Sequence, residues 1–473
     1  MFFDSTAYIV FLILITVAYW RLPFRAQNRL LLAASYFFYG WWDWRFLFLM
    51  AGSTAVDYFV ALRISRSPDE RRRRILLLFS LILNFSFLAV FKYFNFFIES
   101  FQHVAPALGL RNVPVAVWRI ILPPGISFYT FQEVAYIVDV YHRKVEAADS
   151  IVDYALFISL FPHLIAGPIQ RPSHLLPQVR SDRRWDPEKA FDGLLLILEG
   201  LFRKVVIADN CALLANAALG GRLGPPSTMT VLLGTYAFAW EIYGDFSGYS
   251  SIARGSAQLL GFHFMVNFRQ PYLAESLQDF WRRWHVSLSS WLRDYLYIGL
   301  GGSRRGRVRT YANLMLTMLL GGLWHGASWT FVVWGGIHGV GLAVERFVSS
   351  LLGMPDASGS SSFAGRWARR ILIFNLVCFA WIFFRVPTFG GAWEQVSALA
   401  RWRWAPEYGA AAGFLALYAV LMFLLDVQME HSQSEYLFAA RRYPARVAVG
   451  LAFCAFVTLF GANQANAFLY FQF

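Results

Sequence analysis

Cysteine is scarce in this chain, with three among 473 residues. Cys211, Cys378 and Cys454 stand far apart in or beside apolar segments, and no Cys-x-x-Cys occurs. Packing roles are expected for them, rather than a zinc site or a disulfide framework. Charge is scarce too: 15% of residues are charged, against 57% hydrophobic and 18% aromatic. A soluble surface needs more charge than that. Also missing are a Gly-rich phosphate loop, a Gly-x-Ser-x-Gly elbow and a His-Glu-x-x-His motif. Their absence sets aside the commonest nucleotide-hydrolysing and serine-hydrolase readings. No repeat of solenoid period and no duplication of halves is visible. The first apolar segment, Thr6 to Trp20, lacks a basic n-region and a small-residue cleavage site, so it reads as a retained span.

What the chain has instead is apolar length. Runs able to cross or enter a bilayer fall near 5–20, 30–43, 46–62, 75–98, 120–141, 151–166, 190–208, 227–243 and 245–262. Others fall near 309–323, 327–349, 370–386, 408–426 and 445–462. The pattern predicts an all-α polytopic membrane protein, residues 1–473 forming a single integral-membrane domain. Roughly ten to thirteen transmembrane or re-entrant helices are expected, because several runs fall short of a straight span. Basic residues outnumber acidic ones by 42 to 29, for a net charge of +13. They sit in short clusters between apolar runs, such as Arg21, Arg25 and Arg29, then Arg63, Arg66 and Arg71 to Arg74. Positive-inside bias and attraction to the lipid bilayer's anionic headgroups explain such clusters. No recognition module accompanies them, so nucleic acid is not an expected partner. One helical hairpin joins the two clusters through Trp41-Trp42-Asp43-Trp44-Arg45, which predicts an N-terminus outside the cell and an aromatic turn at the outer interface.

Two stretches carry candidate chemistry. Leu314 to Gly339 is apolar with His325 near its middle, and a titratable ring at bilayer depth is costly. Such a ring is either a satisfied structural histidine or one that moves protons, ligands or substrates. Gly321, Gly322 and Gly326 bracket Trp324-His325, at a spacing that lets another backbone approach closely. The second stretch, Leu277 to Gly302, reads as one helix with Trp284, Leu288, Trp291 and Tyr295 on an apolar stripe. Arg282 and Arg293 share its polar face, as on an amphipathic helix lying in the membrane interface. Asp279 can pair with Arg283 one turn on. His285 sits at the margin of the stripe, where its ring could turn inward. Two such histidines could share a proton between an attacking hydroxyl and a leaving group. No metal site is expected, since neither has a partner at i+3 or i+4 and acidic ligands are not clustered nearby.

Other residues read more plainly. His338 follows His325 by thirteen positions, about 220° around an ideal helix, so the two would not share a face. His163 ends an apolar span before a Pro/Gly break, as a capping residue or a cavity-lining one. Glu133, Glu241 and Asp245 lie within apolar runs. Gly244-Asp245 could break its helix to face a pore, or the acids could pair with Lys92 or an arginine. Arg304, Arg305 and Arg307, just past Gly301-Gly302, form either a binding surface for a phosphorylated donor or an ordinary positive-inside loop. Ala357 to Ser362 is a Ser/Gly-rich linker.

Phe280-Trp-Arg-Arg-Trp-His285-Val-Ser-Leu-Ser-Ser-Trp-Leu-Arg-Asp-Tyr-Leu-Tyr297, followed by Gly-Gly-Leu-Trp-His325-Gly-Ala-Ser-Trp, resembles the membrane-bound O-acyltransferase family. The likeness is to its bacterial alginate O-acetyltransferase branch. Pro124-Gly-Ile-Ser-Phe-Tyr-Thr-Phe-Gln132, Phe161-Pro-His-Leu-Ile-Ala-Gly-Pro168, Asp245-Phe-Ser-Gly-Tyr-Ser250 and Phe468-Leu-Tyr-Phe-Gln-Phe473 are similar to that branch as well. The resemblance implies a helical fold around a central funnel or tunnel in the bacterial inner membrane. It implies a cytoplasmic thioester donor, acetyl-CoA, used as a substrate and not as a resident cofactor. It also implies a periplasmic acetyltransferase partner that decorates an exported polysaccharide such as alginate. The family's near-invariant histidine maps onto His325 and its second active-site position onto His285; other branches often carry Asn or Asp there. Residues 357–403 match no motif of the family. Two alternatives stand beside this reading. One is another cell-envelope acceptor (cellulose, peptidoglycan, or teichoic acid receiving D-alanine), and the other is a non-enzymatic transporter or flippase.

Overall fold

Helices form wherever the apolar runs lie, and their ends carry the signals that stop them. Asp69 caps one by accepting the Arg71 N–H at 2.9 Å, and Arg63 and Arg66 close the preceding one, where cations complement the helix dipole. The computed structural model describes residues 1–110, 120–165, 167–352, 362–432, 436–438 and 442–462. Among these residues no β-strand occurs. The closing motif 468–473, most of the Ser/Gly-rich linker and Ala166 lie outside the described residues.

The chain divides into two compact units. Residues 1–193 and 253–265 form the first. It holds α1 (Thr6–Tyr19), α2 (Phe24–Gly40), α3 (Arg45–Arg66), α4 (Glu70–Leu88), α5 (Phe94–Val104), α6 (Ile126–Tyr141), α7 (Ile151–Ser159), α8 (Phe161–Leu164) and α9 (Pro172–Arg180). Its buried acids are met by hydroxyls and an amide. Glu133 accepts from Ser53 at 3.0 Å and from Thr54 at 2.9 Å. Asp57 accepts from Ser80 and, at 2.7 Å, from Asn84. Glu133 thus finds hydroxyl partners on α3 where sequence reading offered Lys92 or an arginine.

The second unit comprises residues 194–252 and 266–473. After α10 (Pro187–Leu201) come α11 (Asp209–Leu219), α12 (Thr228–Leu259), α13 (Leu277–Arg283), α14 (Val286–Trp291), α15 (Arg307–His325) and α16 (Trp329–Leu352). It closes with α17 (Phe363–Arg385), α18 (Phe389–Ala398), α19 (Pro406–Ser432) and α20 (Tyr443–Phe460). Six helical stretches of the described residues are long and apolar enough to cross a membrane: Arg45–Arg66, Glu70–Leu108, Trp329–Leu352, Phe363–Arg385, Pro406–Ser432 and Tyr443–Phe460. The protein is an all-α, multi-span membrane protein.

Asp245 does not break its helix. α12 runs unbroken from Thr228 to Leu259, and Gly244 and Gly248 serve close packing instead. A methyl group on Gly244 would meet the Arg203 carbonyl at 2.9 Å, and one on Gly248 would meet the Gly200 carbonyl at 2.7 Å. At that approach the Lys204 ammonium lies 3.0 Å from Asp245 and 2.7 Å from Asp209. The acid's partner is a lysine that sequence reading had not offered.

Candidate active site

Between α13 and α14 the chain breaks where one continuous helix was expected. Ser276 caps α13 by accepting the Asp279 N–H at 3.0 Å, and the helix stops at Arg283. His285 then adopts a left-handed backbone, φ 43° and ψ 54°. For a non-glycine residue this costs about 1–3 kcal/mol and recurs where function needs a particular orientation. Two backbone bonds hold the break against the segment before it: Arg269 N–H to Arg283 C=O at 2.9 Å, and Val286 N–H to Asn267 C=O at 2.8 Å. The expected stripe is therefore bent: Trp284 and His285 sit at the corner, both buried, and Leu288 and Trp291 follow on α14. The Asp279–Arg283 pair forms as expected at 2.9 Å, and Arg283 also reaches Glu430 at 2.8 Å.

Asn267 gathers three contacts on its side-chain oxygen. It meets His285 Nδ1 at 3.2 Å, the Ser287 N–H at 3.3 Å and the Ser287 hydroxyl at 2.9 Å. Its amide nitrogen donates to the Ser250 hydroxyl of α12 at 3.1 Å. Phe246 of α12 lies edge-on to the His285 ring at 4.6 Å between centroids. Sequence reading passed over Asn267 because an asparagine between apolar runs carries only a turn signal. Complete burial pushes the His285 imidazole down to a pKa of about 3 and keeps it neutral.

His325 closes α15. The next residue, Gly326, is extended, and α16 starts three residues later under a Ser328 cap whose hydroxyl accepts the Thr330 N–H at 3.3 Å. The amides of Gly326 and Ser328 are engaged by the carbonyls of Gly322 and Gly326. The His325 ring is enclosed by Trp324, Trp334 and Phe384, at 5.0, 5.1 and 5.4 Å between centroids. Its centroid is 6.4 Å from that of His285, and Trp324 stands edge-on to both. The structure thus brings together the two histidines forty positions apart in sequence.

His338 needs a correction. The helix between it and His325 is interrupted, so angular spacing along one helix does not apply. Trp334 lies between the two rings, 5.1 Å from His325 and 4.9 Å from His338. His338 is buried, stacks on Phe280 and meets Trp281 edge-on. His163, in the other unit, is buried against Phe264 at 5.4 Å. Arg304 and Arg305 are exposed in the turn before α15, at the opposite end of that helix from His325. Among the described residues no group of three or more histidine, cysteine or acidic side chains converges as a metal site would.

A paired-histidine site walled by aromatic rings, in a multi-span helical protein, is what the family comparison meets. The chain belongs to the membrane-bound O-acyltransferase (MBOAT) family, which its residues 138–386 match. Within that family it groups with the alginate O-acetylase-like proteins. It is 42% identical over 402 residues to the probable alginate O-acetylase AlgI of Azotobacter vinelandii, covering 84% of this chain and 78% of that one. To the protein of the same name from Pseudomonas aeruginosa it is 42% identical, over 84% of this chain and 75% of the other. To the peptidoglycan O-acetyltransferase of Helicobacter pylori it is 35% identical, over 81% and 76%. The chain is an acyltransferase and a multi-pass protein of the bacterial inner membrane.

Proposed function

We propose that this single integral-membrane domain moves an acetyl group from cytoplasmic acetyl-CoA across the membrane. The group is passed to a periplasmic acetyltransferase partner for O-acetylation of an exported polysaccharide such as alginate. Ten to thirteen transmembrane or re-entrant helices surround the funnel in which transfer occurs. The observation that supports this reading most is the approach of His285 and His325, 6.4 Å apart, inside a wall of aromatic rings. Identity to probable alginate O-acetylases at 42% supports the acceptor class.

In this mechanism His325 is the general base. The acceptor hydroxyl attacks the thioester carbonyl, a C–O bond forms, and His325 receives the hydroxyl proton. The C–S bond then breaks, and the proton passes from His325 to the departing thiolate, so CoA leaves as the free thiol. His285 orients a substrate beside it. Removing water from around both rings strengthens every polar contact in the transition state. Arg304 and Arg305 bind the phosphates of the donor. A second acceptor, peptidoglycan, is favoured by the 35% identity to the Helicobacter enzyme alone.

The test is thioester turnover by purified protein with labelled acetyl-CoA, comparing wild type with His325→Ala and His285→Ala after each is shown to be folded. Loss of a general acid–base residue lowers turnover by about 10²–10⁴-fold. Full turnover without His325 would remove that ring from the chemistry. Transfer of label to alginate oligomers but not to peptidoglycan fragments, with the periplasmic partner added, would decide the acceptor.

A further inference from the structure

The hydrogen bonds at Asn267 determine which end of His285 carries its proton. A backbone N–H can only donate, and the Ser287 N–H points at Asn267 Oδ1. That atom is therefore the carbonyl oxygen and not the NH2. The other end of the amide agrees, since it donates to the Ser250 hydroxyl at 3.1 Å. The Ser287 hydroxyl, 3.5 Å from the same ring nitrogen, spends its hydrogen on Asn267 Oδ1 at 2.9 Å, so a ring nitrogen 3.2 Å from that amide oxygen carries its own. His285 is thus the Nδ1–H tautomer, and Nε2 keeps its lone pair.

Resting on the function proposed above, we infer that Asn267 is a positioning residue that locks this tautomer, so that His285 presents a hydrogen-bond acceptor to a second hydroxyl of the acetyl acceptor, beside the one that His325 deprotonates. The chemistry discriminates between the two substrates. A thioester carbonyl has lone pairs only and gains nothing from a second one, whereas a hydroxyl brings the O–H that a lone pair takes. Asn267 is also a neutral amide. A carboxylate in its place would stabilise an imidazolium, while the amide orients the ring without favouring its charged form. Among the described residues, His325 on α15 brings a titratable side chain against His285. Phe246 from α12, Phe268 from the preceding segment and Trp324 beside His325 bring no charge. Burial in this surrounding keeps the ring neutral.

The experiment uses the full chain in lipid nanodiscs, labelled with [15N]histidine, with His285→Gln to identify the signal. The wild type is expected to show protonated Nδ1 and unprotonated Nε2; a protonated Nε2 would overturn the inference. In turnover assays Asn267→Ala is expected to lower kcat by roughly 10–100-fold, the scale on which partners orienting a functional histidine act. KM for acetyl-CoA should stay unchanged. Asn267→Asp keeps an oxygen for Ser287 and for Nδ1, and the Ser250 hydroxyl can turn to donate to it. Its carboxylate raises the His285 pKa, so the acidic limb of the rate profile should climb into roughly pH 5–7. Unchanged kcat in Asn267→Ala, or an unshifted profile in Asn267→Asp, would overturn the positioning role. Full turnover in His285→Ala would overturn the contact with the acceptor hydroxyl, whatever the spectrum shows.

Discussion

Gly322 of α15 and Gly335 of α16 lie against each other so closely that neither has room for a methyl group. A Cβ on Gly322 would meet the Phe331 carbonyl at 2.2 Å, and one on Gly335 would meet the Met318 carbonyl at 2.2 Å. The obstacle in each case is backbone, so a helix would have to move. Gly322→Ala is predicted to destabilise the protein by about 1–3 kcal/mol, the usual cost of overpacking. It should also lower turnover, because His325 is one helical turn away and a shift near 1 Å can cost about a hundredfold in rate. Gly336→Ala is the control: its Cβ would meet the Leu319 side chain at an ordinary 3.5 Å. Unfolding midpoints and turnover measured on both variants check this. Equal behaviour would mean that the hairpin is not set by that contact.

Lys204 is buried between two carboxylates, and its removal should take from both the cation they share. Its ammonium is 2.7 Å from Asp209 and 3.0 Å from Asp245, with all three side chains less than 5% exposed. Breaking a buried ion pair from one side costs about 3–5 kcal/mol, most of it from the charge left behind. Lys204→Met should therefore unfold far more readily than the triple variant Lys204→Met, Asp209→Asn, Asp245→Asn, which removes all three charges. Thermal unfolding in one detergent compares them. A triple variant no more stable than Lys204→Met would show that packing, not charge, dominates there.

The helices and the two notable histidines were legible because hydropathy and the Trp-His motifs are local patterns. The break at Trp284-His285 was not. No glycine or proline marks it, and the left-handed turn is imposed by backbone bonds from Arg269 and Asn267, which no local pattern encodes. Asn267 was hidden for the same reason: its role exists only once the chain folds back on itself. Gly244 misleads in the opposite direction. Beside Asp245 it reads as a possible helix break, but in a membrane bundle such a glycine lets helices approach. Counting turns separates His338 from His325 only along one continuous helix, and that helix ends at His325. The acids showed the limit of reading charges by sign, since Glu133 is met by Ser53 and Thr54, both neutral.

Burial of neutral His285 makes stability depend on pH. In the unfolded chain a histidine takes a proton near pH 6.5, whereas in the folded protein His285 is held neutral down to about pH 3. Between these values the unfolded state binds the extra proton. The contribution is fully present above about pH 6.5 and is lost as pH falls towards 3. Unfolding midpoints of wild type should drop between pH 7.5 and pH 4.5 more steeply than those of His285→Gln, which cannot titrate. Parallel slopes would mean that the ring takes up its proton over the same pH range in the folded protein as in the unfolded chain.

The exposed arginines before α15 separate donor binding from chemistry. Asn313 ties their turn to the helix by donating to the Gly302 carbonyl at 2.9 Å. The 19 residues from Arg307 to His325 place that turn roughly 28 Å from His325, at 1.5 Å per residue. No side chain at that distance touches the reacting atoms, so Arg304 and Arg305 can act only by holding a remote part of a substrate. Exposed charge contacts contribute up to about 1 kcal/mol each. Arg304→Ala with Arg305→Ala is therefore expected to raise KM for acetyl-CoA roughly tenfold. kcat should not change, the signature of binding shared equally by ground and transition states. Raising the salt concentration should reproduce the effect in wild type, because dissolved ions screen such contacts. An unchanged KM in the double variant would return this turn to the role of an ordinary positive-inside loop and move the search for the phosphate contacts elsewhere.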